Sequence, residues 1–273
     1  MTPHDKLYAL KTALQKMERV AVAFSGGVDS AFLLSVAFET LGNRAVAVTA
    51  DSPLFPEREC SEAADFAGQL GVAQTILRFD AMEVPGFSKN SADRCYHCKK
   101  ALFLGIKAFA QEHGIPFVAD GSNADDTGDY RPGMAALKEL GIVSPLRDAG
   151  MTKEDIRTLS RELGLLTWDK PSFACLASRF PYGQEITLEQ LAMVGQAEQV
   201  LLERGFRQVR VRCHGGIARI EVPAEDRRRL VEGGLAAAVY EAFRRIGFQY
   251  VTLDLLGYRT GSMNEVLSGS RKA

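Results

Sequence analysis

Residues 20–30 read VAVAFSGGVDS. A short apolar run ends in a serine and a glycine pair, and a helical pattern follows from Ala31. That order predicts a buried strand, a tight loop and a helix N-terminus. Such a loop gathers unpaired backbone N–H groups at one point, and the helix dipole adds partial positive charge there. A pyrophosphate-like anion fits that point. Gly26 and Gly27 permit positive φ and close approach of the backbone, while Ser25 and Ser30 offer hydroxyls. Asp29 is out of place beside a phosphate unless a divalent cation such as Mg²⁺ stands between them.

Working outward, Leu7, Leu10, Leu14 and Met17 recur at helical spacing before the strand. The helix from Ala31 to Leu41 stops at Gly42 and Asn43. Residues 45–49 (AVAVT), Thr75–Phe79 and Phe117–Asp120 read as further strands, and Ile142–Leu146 as a short one. Strands alternating with helices predict an α/β fold with a doubly wound parallel sheet. Ligands of such sheets sit at the strands' carboxyl ends. The nucleotide-facing candidates are therefore Phe24, Ser25, Gly26, Gly27, Asp29 and Ser30 in the loop, with Thr49, Asp51 and Ser52 at the end of the second strand. Asp125 and Asp126 lie in another polar turn, where such residues usually bond their own backbone rather than a metal. Tyr130-Arg131-Pro132-Gly133 opens a helix, and Thr152 to Asp155 resembles a capping box with Asp in the acceptor position.

An irregular stretch, Trp168–Gly183, carries Cys175, Ser178 and Arg179 between two prolines and a glycine and reads as a loop joining two lobes. Beyond it come a helix over Leu188–Leu202, strands over Gln208–Arg212 and Ile217–Val222, a helix over Leu235–Ile246 and a last strand over Tyr250–Leu256. Arg210 and Arg212 share one strand face, which suits a phosphate or carboxylate ligand and equally a solvated face. The expected organisation is a domain over 1–167, a connecting loop over 168–186 and a smaller α/β domain over 187–273. Ser268–Ala273 reads as a loose tail.

A net charge of −1 supplies no global field for nucleic acid. No apolar run is long enough to span a bilayer, and MTPHDKLYAL lacks the regions of a signal peptide. The chain is thus read as cytoplasmic, where its five cysteines should be reduced, metal-bound or catalytic. Cys95 and Cys98 form C-x-x-C, which suits a redox dithiol, half a zinc site or part of an iron–sulfur site. Cys60 and Cys213 are read as small apolar residues, and His97 and His214 as structural polar ones.

No G-x-x-x-x-G-K-S/T and no G-x-G-x-x-G occurs. SGGVDS after a strand resembles instead the PP-loop of the ATP pyrophosphatases, which cut ATP between its α- and β-phosphates. In chain order follow RCYHCKK, DGSNADDTGDYRPG, KPSFACLASRFPYG, HGGIARIEV and GYRTGSMN. The set resembles the LarE family, ATP-dependent sulfur transferases of nickel-pincer cofactor synthesis. The resemblance implies adenylation of pyridinium-3,5-biscarboxylic acid mononucleotide and its conversion to a thiocarboxylate, with ATP and Mg²⁺. It implies that Cys175 is the sulfur-delivering residue, either by giving up its own sulfur or by joining Cys95 and Cys98 around a 4Fe-4S cluster. The C-x-x-C favours the cluster branch. The resemblance also implies Ser178, Arg179, Arg210 and Arg212 as substrate-binding residues, and a homo-oligomer, a hexamer, without nucleic acid or membrane partners. Cys213 stands where the family is expected to carry histidine or another polar residue. A tRNA thiolase, an ammonia-using ligase and a nucleotide sensor are the competing readings.

Overall fold

The structure, a computed structural model, describes residues 1–128, 132–259 and 262. Tyr130, Arg131 and the tail from Ser268 lie outside the described residues. The chain divides into two compact units, one of residues 1–84 and 93–173, the other of residues 85–92 and 174–273. The stretch expected to connect two lobes is thus divided after Phe173.

The first unit is built on four parallel strands, β1 (Val20–Ala23), β2 (Ala45–Asp51), β3 (Gln74–Arg78) and β4 (Phe117–Ala119), in the order β3-β2-β1-β4. Its helices are α1 (Pro3–Met17), α2 (Val28–Leu41), α3 (Glu57–Leu70), α4 (Arg94–Glu112), α5 (Pro132–Glu139), α6 (Pro145–Asp148) and α7 (Lys153–Glu162). Alternation along the strands feeds two apolar layers. Val20, Val22, Ala45 and Ala47 pack with α1, α2, α3 and α7. Ala21, Val48 and Val118 pack with α4 and α5 on the other face. A sheet covered on both faces is why these strands read as nearly continuous apolar runs. The strand order reverses direction between β1 and β4, the switch point at which open α/β sheets bind ligands.

The short strand expected over Ile142–Leu146 is reduced to one bridge, Ala119 to Val143. Pro145 has no N–H to extend the ladder and starts α6 instead.

The second unit holds β5 (Arg210–His214), β6 (Ile217–Glu221) and β7 (Tyr250–Leu253), with β5–β6 antiparallel and β6–β7 parallel. Around them lie α8 (Leu188–Glu203), α9 (Ala224–Val231) and α10 (Leu235–Ile246). Residues 85–92 join this unit through Asn90, whose side chain donates to Phe180 O at 3.3 Å and Pro181 O at 2.7 Å. Among the described residues no helix is long and apolar enough to cross a membrane.

Candidate functional site

In the first unit the loop after β1 closes on itself. Ser30 Oγ donates to Gly27 O at 3.2 Å, accepts from Ser25 N at 3.3 Å and lies 3.1 Å from Ser25 Oγ. Gly26 has φ +71°, and a Cβ there would sit 3.0 Å from Ala63 Cβ on α3. At the end of β4, a Cβ on Gly121 would meet Ser30 N at 3.1 Å. Gly26 therefore lets α3 pack against the loop, and Gly121 lets the end of β4 reach the start of α2, whose first amides have no intrahelical acceptor. Thr49 Oγ1 donates to Phe24 O at 2.8 Å and accepts from Gln74 Nε2 at 2.8 Å, tying β2 and β3 to the loop's entrance. Ser52 is buried and Asp51 exposed at the end of β2.

Two lysines that the sequence reading passed over reach this loop. Lys153, the first residue of α7, places Nζ 2.6 Å from Asp29 Oδ2. Lys170 donates to Gly26 O at 3.1 Å and pairs with Glu59 at 2.9 Å and Glu62 at 2.7 Å. The other oxygen, Asp29 Oδ1, is buried with no hydrogen-bond partner. Asp120, beside Gly121, accepts from Ser144 Oγ at 2.6 Å and Ser122 Oγ at 2.5 Å, with Lys99 Nζ 3.8 Å away. Asp126 accepts from Asn123 N, the turn role expected of it, whereas Asp125 departs from that role and accepts from Lys153 N at the start of α7.

Cys95 and Cys98 lie in the first two turns of α4, the former exposed and the latter half-buried. Arg94 Nη2 lies 3.8 Å from Cys95 Sγ. Cys60 is pushed up in pKa by burial and then by Asp51, Glu59 and Glu57, which keeps it a thiol. Cys213 is buried, and burial raises it as well.

In the second unit half-buried Cys175 caps a short 3-10 turn, Leu176–Arg179. Arg179 is 0% exposed. It holds Glu198 on α8 through Nε at 2.8 Å and Nη2 at 2.9 Å, and its Nη1 donates to Ala174 O at 2.8 Å, Cys175 O at 3.2 Å and Ser178 Oγ at 2.8 Å. The expectation that Arg179 grips substrate is corrected by these bonds: all three nitrogens are spent on the protein, away from solvent. Burial opposes ionisation of both partners, yet their mutual attraction raises Arg179 and lowers Glu198. Arg212 is similarly committed, to Glu221 at 2.8–3.0 Å, Ser178 O at 2.8 Å and Ser262 Oγ at 3.0 Å. Arg210 donates to Val209 O at 2.7 Å and lies 5.4 Å from the Tyr258 ring centre. Burial first, and then the charge of Arg179, bring Arg210 down to about 10. The strand face carrying these arginines is buried, so the solvated alternative falls. Glu198 and Glu221 supply the compensating charge, and neither position is visible from the alternation of β5. Burial and the nearby arginines lower His214, which stays neutral.

No family model matches the chain. An uncharacterized protein of Synechocystis is 43% identical over 97% of this chain and 98% of its own length. The pyridinium-3,5-bisthiocarboxylic acid mononucleotide synthase of Lactiplantibacillus plantarum is 39% identical over 98% of this chain and 97% of its own length. The chain belongs to the LarE family. A more distant relative, the glutamine-hydrolyzing GMP synthase of Anaplasma marginale, is 25% identical over 73% of this LarE-family chain and 41% of its own length. GMP synthases are PP-loop ATP pyrophosphatases, and the parallel unit of this LarE-family chain is of that class.

Residues of the first unit fit one of the implied groups. Asp29, with a buried unbonded oxygen at a helix N-terminus, suits a Mg²⁺ shared with a polyphosphate. Among the described residues no three His, Cys, Asp or Glu side chains gather as a metal site. Cys95 and Cys98 belong to the first unit and Cys175 to the second. The preference for the cluster branch finds no support in this arrangement.

Proposed function

We propose that the chain is an ATP-dependent sulfur transferase that acts on pyridinium-3,5-biscarboxylic acid mononucleotide. The observation that carries the reading is the 39% identity, over 98% of this chain, to a synthase of the corresponding bisthiocarboxylic acid. In the first step a substrate carboxylate oxygen attacks the α-phosphorus of ATP. The α–β bridging bond breaks, and pyrophosphate leaves with the electron pair. A carboxylate is a poor acyl donor, and the acyl-adenylate supplies a leaving group. In the second step sulfur attacks the acyl carbon, the C–O bond to AMP breaks, and a thiocarboxylate results.

The chain's own residues divide this work. The amides at the start of α2, with Ser25 and Ser30, bind the departing pyrophosphate and stabilise its charge. Asp29 would hold Mg²⁺, which neutralises phosphate charge. Cys175 supplies the sulfur, since a thiolate is a strong nucleophile near neutral pH. When it gives up its own atom, the Cα proton leaves, the Cβ–S bond breaks and dehydroalanine remains. Arg179 acts through Cys175 by fixing the backbone on both sides of it. Arg210 is the candidate for an anionic substrate group in the second unit, while Arg212 is committed to Glu221, Ser178 O and Ser262 Oγ and steadies the strand beside it.

The test is ATP–pyrophosphate exchange in the presence of the mononucleotide, with intact-mass and iron analysis of anaerobically purified chain after turnover. Exchange that needs the carboxylate, and a chain lighter by one H₂S without iron, support transfer of the Cys175 sulfur. Iron with an unchanged chain mass selects a cluster-bound sulfide instead. Exchange without the carboxylate overturns the reading. Native mass spectrometry checks the expected hexamer.

A further inference from the structure

We propose that Lys153 is a phosphate-binding residue of the ATP site. Its ammonium, paired here with Asp29 Oδ2, contacts the β- or γ-phosphate when ATP is bound. The inference rests on the ATP-site reading above and adds a residue to it.

The backbone of Lys153 is fixed. Its N–H donates to Asp125 Oδ2 at 2.8 Å, Thr152 and Asp155 close a capping box around it, and Ile156 and Leu159 of α7 are buried in the same core as α2. Only the side chain is free to swing, and it already ends 2.6 Å from the carboxylate of the loop's aspartate. As a stability device the pair is poor. The two side chains keep 29% and 23% of their exposure, and exposed ion pairs contribute little. Meanwhile Asp29 Oδ1 stays buried and unbonded, which is unfavourable. A divalent cation on Asp29 satisfies that oxygen and competes for the charge that holds Lys153. The released ammonium then stands at a helix N-terminus beside a polyanion, where lysine serves as a compact point charge. Lys170 does not fill this role. Its ammonium is held by Glu59, Glu62 and Gly26 O and is only 12% exposed.

The test compares two nucleotides on the full chain by calorimetry with Mg²⁺. α,β-Methylene-ATP carries all three phosphates and cannot be split at the α–β position; AMP carries only the first. Lys153→Met should weaken α,β-methylene-ATP by ~10- to 100-fold, the range of one charge-assisted bond, and leave AMP unchanged. Lys153→Arg should restore most of the loss. Lys153→Gln gives the same comparison if the methionine variant does not fold. Equal weakening of both nucleotides, or no change in either, overturns the inference while the ATP site stands. Wild-type chain that binds neither nucleotide overturns both.

Discussion

Cys175 is held from behind. Arg179 bonds the carbonyls of Ala174 and Cys175 and the hydroxyl of Ser178, and is itself locked to Glu198. The thiol's placement thus depends on a buried charge pair rather than on loop sequence alone. Cys175→Ser should abolish thiocarboxylate formation while leaving ATP–pyrophosphate exchange close to wild type, because adenylation precedes the sulfur step; loss of both activities would contradict the division of roles. Glu198→Gln should destabilise the fold by ~3–5 kcal/mol, since it strands the Arg179 charge in the interior. Urea denaturation reads this, and an unchanged midpoint would show that the pair carries no stability. The loop after β1 was legible as a shape, since its glycine pair and hydroxyls pointed to a tight turn into a helix N-terminus, and that is what forms. Lys153 and Lys170 were not legible. They stand more than a hundred residues from the loop, and only the fold brings them to it.

Individual elements followed the sequence where burial forced a pattern. β1 and β2 were plain because both faces are covered, and α10 has the bounds its periodicity gave. The helix α9 was missed because its sequence, AEDRRRLV, buries only Leu230, which leaves no apolar stripe to detect. The capping box at α7 was read correctly, with Asp155 as its acceptor. Asp155 Oδ2 also takes Lys6 Nζ of α1 at 2.6 Å, so one carboxylate fastens two helices. Burial raises its pKa, but Lys6 and the amide and hydroxyl of Thr152 more than offset that and hold it low. A depressed carboxyl stabilises the fold above its unfolded pKa, about 4, and loses that contribution as pH falls through the folded value. Asp155→Asn should therefore lower the melting temperature at pH 7, and the gap to wild type should shrink towards pH 3. A gap independent of pH would remove the carboxylate from the account.

At the scale of the whole molecule, the sequence announced two lobes and a join, but not the short segment 85–92 that belongs with the later residues. No pattern marks such an insertion, because it is defined by what Asn90 bonds: the carbonyls of Phe180 and Pro181, near the start of the second unit. A fragment of residues 174–273 should accordingly melt lower than the same fragment with a peptide of residues 85–92 added in trans. Equal melting would mean that the segment is dispensable. The chain crosses from one unit to the other after residues 84, 92 and 173. Recombination at any single one of those points would splice an incomplete piece onto a foreign partner. One unit can therefore be exchanged whole only by more than one crossover, which ties the histories of the two together.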